Sequence, residues 1–127
     1  MREYLDLLEA LRTALDARTS YTEEELARRL GVSPQAPKFQ AALRHLDDRL
    51  EILVEAEGRR LRGRRRLTAD LLEALAGGDP LTQAELRAAL RVETPAVAEV
   101  VGWLLREGRV EIVDAGGVER VKLKRGA

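Results

Sequence analysis

The 127-residue chain contains no cysteine, which excludes disulfides, thiolate nucleophiles and cysteine-ligated zinc or iron–sulfur sites. It has one histidine, His45, so a multi-histidine metal site is excluded as well. Aromatic residues make up only 3%, which counts against base-stacking platforms for single-stranded nucleic acid. Charge of one sign is also missing: 22 basic residues balance 22 acidic ones. Whole-molecule charge therefore draws the chain to neither nucleic acid nor membrane, and any attraction must come from a local patch. The longest dense apolar run, Val100 to Leu105, is far short of the roughly 18 residues a membrane span needs. Residues Met1 to Tyr4 lead into an acidic amphipathic stretch without the basic-then-apolar layout of a signal peptide. The expectation is a cytoplasmic protein with no membrane partner.

Motifs for chemistry are scarce. The sequence has neither G-x-x-x-x-G-K-[ST] nor G-x-G-x-x-G. Gly77–Gly78–Asp79–Pro80 reads as a turn rather than a phosphate loop. The only serines, Ser20 and Ser33, sit beside turns and make no convincing triad with His45. Asp47–Asp48 and Glu23–Glu24–Glu25 are adjacent on helices, where neighbours point about 100° apart and do not converge on one atom. No enzyme, cofactor or metal is expected.

What is present is a repeat. YTEEELARRLGV at Tyr21 to Val32 corresponds to LTQAELRAALRV at Leu81 to Val92, with an offset of 60. The offset becomes 58 further on, placing Pro37 over Pro95, Leu46 over Leu104, Ile52 over Val110 and Gly58 over Gly116. The first copy's extra residues fall in the turn Ser33 to Ala36. Thr22-x-x-Glu25 and Thr82-x-x-Glu85 are capping boxes that start a helix in each copy. Pro37 and Pro95 suit the first turn of the next helix. Those second helices carry apolar stripes: Phe39, Ala42, Leu43, Leu46 and Val97, Val100, Val101, Leu104.

The pattern then alternates. Ile52, Val54 and Ala56 form one face of a strand, and Val110, Ile112 and Asp114 form its counterpart. Return strands are expected near Arg60 to Arg64 and Val118 to Lys124, the latter with Val121 and Leu123 on one face. A leading helix is expected in each copy, over Glu3 to Ala17 and over Ala69 to Ala76 with Thr68 as its cap. The unit boundary falls near Arg66–Leu67, giving units 1–66 and 67–127. The fold class is α+β, mainly helical.

Three helices followed by a hairpin resembles the winged helix-turn-helix superfamily, in tandem. LARRLGV followed by FQAALRHL and ILVEAEGRRLR, then LRAALRV followed by VVGWLLREGRVEIV, carry the likeness over nearly the whole chain. Paired units of this kind occur in transcription regulators, in the selenocysteine-specific elongation factor, in chromosome-segregation accessory proteins and in endosomal sorting complexes. The resemblance implies a binding module and leaves the ligand open.

Within that frame, GRRLRGRRR at Gly58 to Arg66 falls on the first wing, its return strand and the connection between units. Winged helices commonly lay the wing along a DNA groove or backbone. Arg59, Arg60, Arg62, Arg64 and Arg65 are thus candidate nucleic-acid contacts, with Lys38, Gln40 and Arg44 on the helix beside them. The alternative is a solvated linker, or a patch neutralised by acidic helix residues. The second copy's helix leaves Ala96, Glu99, Gly102 and Trp103 away from its stripe, a surface suited to a protein partner or another protomer. The expected function is non-enzymatic DNA binding in transcription or replication, with duplex DNA the partner. A protein-interaction adaptor and a structured-RNA binder are the alternatives.

Overall fold

A computed structural model describes residues 2–17, 20–55, 60–92 and 94–124. The chain is α+β and mainly helical, and it divides into two compact units, Met1–Leu67 and Thr68–Ala127. Arg59 and the expected strand residue Ala56 lie outside the described residues.

The first unit begins with α1 (Arg2–Ala17), whose Leu8, Leu11, Ala14 and Leu15 are buried at helical spacing. Then come β1 (Tyr21–Thr22), α2 (Glu23–Leu30) and α3 (Pro37–Asp48). The Thr22 capping box forms in full: its hydroxyl accepts from the Glu25 amide, and the Glu25 carboxylate accepts from the Thr22 amide. Gly31, at φ 72°, closes α2 in the left-handed region. Pro37 opens α3. Phe39, Ala42, Leu43 and Leu46 face the core together with Leu11, Leu26 and Tyr21. The Tyr21 hydroxyl, buried in that core, donates to the Ala14 carbonyl at 2.8 Å.

β2 (Ile52–Glu55) and β3 (Arg60–Gly63) form the hairpin, and β1 pairs with β3 to give a three-stranded antiparallel sheet in the order β1-β3-β2. The expected alternation in β2 is not observed. Ile52 and Leu53 are both buried, while Val54 is 54% exposed. Leu53 lies opposite Arg62, which is also buried, so both faces are covered at the hairpin base. Gly63 ends β3 where a Cβ would lie 3.0 Å from the Leu15 side chain and carbonyl, so a larger residue would require α1 to shift by a few tenths of an ångström.

The helix that follows departs from expectation. α4 runs from Arg64 to Leu75, so Thr68 lies inside it and does not cap it. The cause is a buried stripe of Leu67, Leu71 and Leu75 that starts a turn earlier, carried by arginines that are good helix formers. The division between the units falls within this helix.

The second unit contains α5 (Gln83–Leu90), α6 (Thr94–Arg106), β4 (Val110–Ala115) and β5 (Val118–Leu123). Thr82 and Glu85 form the second complete capping box. Here Arg91, at φ 55°, stands where Gly31 stands in the first unit. Val97, Val100, Val101 and Leu104 are buried with Leu86, Val110 and Val121. The β4–β5 hairpin turns at Gly116–Gly117, both at positive φ, and Asp114 Oδ1 accepts from the Gly117 amide. An isolated antiparallel bridge, Leu81 to Val121, matches the Tyr21–Leu61 pair of the first sheet at the same offset of 60.

Candidate nucleic-acid interface

The arginine run is not one wing and linker. Its described arginines are split between β3 and the first turn of α4. Arg60 Nε donates to Ser20 Oγ at 2.9 Å, and its Nη2 lies 3.7 Å from Glu25. Glu25 is the capping-box carboxylate, so Arg60 ties the hairpin to the start of α2. The second unit repeats the arrangement: Arg120, opposite Val113 as Arg60 is opposite Glu55, lies 3.0 Å from the capping carboxylate Glu85. In each unit, then, a threonine, a glutamate and a hairpin arginine form one structural triad. Hydrogen bonds from Thr82 and the charge of Arg120 hold the Glu85 carboxyl below its ordinary value.

Arg62 is 5% exposed, because its strand position faces into the protein rather than out. Of the expected phosphate contacts, Arg60 is thus tied to Glu25 and Ser20, and Arg62 is buried. Arg65 is 86% exposed and lies 3.5 Å from Asp16. Arg66 donates to the Asp16 carbonyl at 3.0 Å. These two bring positive charge to the C-terminal turn of α1, which has no basic residue of its own. Arg64 is half-buried.

The α2–turn–α3 segment places the other candidates. Gln40 is half-buried, and its Nε2 donates to the Pro34 carbonyl at 2.6 Å. It therefore braces the turn, with its amide donor engaged there. Lys38, Ala41 and Arg44 are exposed at helical spacing on the outer face of α3. Lys38 reaches Glu3 of α1 at 2.8 Å, with both side chains mostly exposed, and its hydrogen bond and charge draw the Glu3 carboxyl below the ordinary range. Such exposed pairs are weak because water screens them, so a phosphate can displace Glu3. Arg44 is paired with no other described residue. His45 is half-buried on the flank.

At the far end of α3, Glu51 accepts two bonds from Arg12, at 2.9 and 3.1 Å, and one from Arg49. The Arg12 guanidinium is the main cause that holds Glu51 below its ordinary value. The charges at that end are paired with one another, and the exposed cations of α3, Lys38 and Arg44, lie before it along the helix. Sequence reasoning missed Arg28 and Arg29, exposed in the last turn of α2. Arg29 stands 6.0 Å from the Tyr21 ring centroid. Their signal was present in LARRLGV, where the buried pair Leu26–Ala27 turns the two arginines outward.

In the second unit, Ala96 is corrected: it is 8% exposed and belongs to the core stripe. Glu99 is exposed, while Gly102 and Trp103 are half-buried.

No protein-family model matches the chain, and neither does any curated protein. Among solved structures it is similar to the mRNA-binding domain of elongation factor SelB from E. coli in complex with SECIS RNA. That match has 16% identity and a TM-score of 0.44, and covers 93% of this chain and 97% of that one. ScpB from Mycobacterium tuberculosis matches at 20% identity and TM-score 0.39, over 95% and 91% of the two chains. The DIP2311 protein from Corynebacterium diphtheriae matches at 18% and 0.43, over 92% of this chain but 26% of that one. Winged-helix-type folds are among these neighbours. At such scores the likenesses carry no argument for a ligand. Among the described residues no cluster of His, Asp or Glu could hold a metal ion, and no helix is long and apolar enough to cross a membrane.

Proposed function

We propose that the chain is a non-enzymatic DNA-binding protein built from two tandem winged helix-turn-helix units, acting in the cytoplasm in transcription or replication. The first unit takes duplex DNA on the outer face of α3, with Arg28 and Arg29 of α2 beside it. The tandem reading is supported by features that recur at one offset: both capping boxes, both triads, and the Tyr21–Leu61 and Leu81–Val121 pairs.

One observation carries the ligand assignment. Arg44 stands exposed and unpaired among the described residues, beside the short side chain of Ala41, so a base edge or phosphate can approach it. A guanidinium in that setting can bind guanine bidentately. Arg44→Ala is then expected to cost roughly 1–3 kcal/mol of affinity for a preferred duplex. Arg106→Ala, on the second unit, is expected to cost little. Fluorescence anisotropy against duplex DNA and structured RNA reads both. The reverse ranking would give recognition to the second unit, and tighter binding of the RNA would replace DNA as ligand.

A further inference from the structure

α3 and α6 occupy the same place in the two copies, yet their outer faces differ. Where α3 has Gln40, Arg44 and Asp47, α6 has Ala98, Gly102 and Leu105. Ala98 and Leu105 are exposed, Leu105 by 40%. Gly102 is in the helix interior, where glycine costs about 1 kcal/mol relative to alanine. Nothing among the described residues accounts for it: a Cβ there would meet none of their atoms within 4 Å. Two charges remain on this face, Glu99 about one turn before Gly102 and Arg106 about one turn after. Both are exposed, and neither pairs with another described residue.

We propose that this face of α6 binds the same face of a second copy, the two helices crossing antiparallel at Gly102. A two-fold contact must be self-complementary. In an antiparallel crossing centred there, Glu99 of each copy meets Arg106 of the other, forming two ion pairs. Gly102 meets the second copy's Gly102, so the backbones approach closely, and Leu105 and Ala98 fill the flanks. A parallel crossing would set Glu99 against Glu99 and Arg106 against Arg106. The charge pattern thus selects both the occupant and its direction, and the proposal does not rest on the DNA reading.

The test is sedimentation equilibrium of the full chain, without nucleic acid, over a wide concentration range. The wild type is expected to dimerise. Glu99→Arg and Arg106→Glu are each expected to raise the dimer Kd at least about tenfold, since each sets like charges together. The double variant E99R/R106E is expected to recover most of the wild-type affinity, because the pairs re-form with signs exchanged. Far-UV circular dichroism checks the fold, and Glu99→Gln with Arg106→Gln, each weakening the dimer less, serve if a reversal unfolds. A wild type that stays monomeric overturns the proposal. So do single variants that associate like wild type, or a double variant no better than the singles.

Discussion

Gly31 and Gly102 give the same substitution opposite signs. Gly31 holds φ 72° with open space around it, so Gly31→Ala meets only backbone strain. It is expected to destabilise the first unit by roughly 1 kcal/mol, the left-handed cost less the entropy gained by restricting the unfolded chain. Gly102 is helical with the same open space. Gly102→Ala is expected to stabilise the monomer by about 0.5–1 kcal/mol. Urea denaturation at low protein concentration checks both, and a stabilised Gly31→Ala would mean that the α2 terminus is misread. Leu50, at φ 59°, corresponds to Gly108 as Arg91 corresponds to Gly31. In each unit a left-handed residue thus follows each helix of the pair, α2 and α3 or α5 and α6, glycine in one copy and a larger residue in the other. These equivalences are invisible in side-chain chemistry, because what matches is a backbone angle.

Among the elements, two kinds of ion pair set the response to acid. Glu51 and Glu85 both have carboxyls held below the ordinary 4.5. A carboxyl whose folded value is depressed contributes stability above its unfolded value, and that contribution is lost as pH falls through the folded value. Stability is therefore expected to be flat near neutrality and to decline below about pH 4.5. Glu51→Gln is expected to cost about 1 kcal/mol near pH 7 and to make the acid decline shallower. Urea melts at about pH 7 and about pH 3 measure this, and an unchanged pH dependence would remove the Arg12–Glu51 pair as its source. Arg60→Ala is expected to destabilise its unit more than Arg120→Ala does, since Arg60 also holds Ser20.

Legibility in the sequence follows the reach of each interaction. The capping boxes could be read because threonine and glutamate act across three residues. The triads could not, because Arg60 and Arg120 meet their glutamates only after the chain returns through the hairpin. β1, two residues long, is too short for any periodicity. The start of α4 was hidden by arginines that read equally well as wing and linker. Ala96 was misplaced because an alanine adds little to an apolar stripe. On α3, Lys38 and Arg44 are exposed as nucleic-acid contacts require, while the engagement of Gln40 could not be read, since its partner lies in the preceding turn.

At the scale of the molecule, the formal net charge is zero, and the sequence up to Arg66 carries 14 basic against 12 acidic residues. The proposed DNA binding then depends on a few placed cations and is expected to be strongly damped by salt. With Arg60 and Arg62 held within the first unit and Arg29 beside the Tyr21 ring, Arg28, Lys38, Arg44 and Arg65 are four exposed cations of that unit that can reach phosphate. The measurement that tests the account most directly is duplex-DNA affinity as a function of salt, for the wild type and for Arg28→Ala with Arg44→Ala. The account predicts a wild-type log–log slope of about −3 to −4, made shallower by about 2 units in the double variant. A wild type that does not bind duplex DNA at low salt, or a double variant with the same slope, would contradict it.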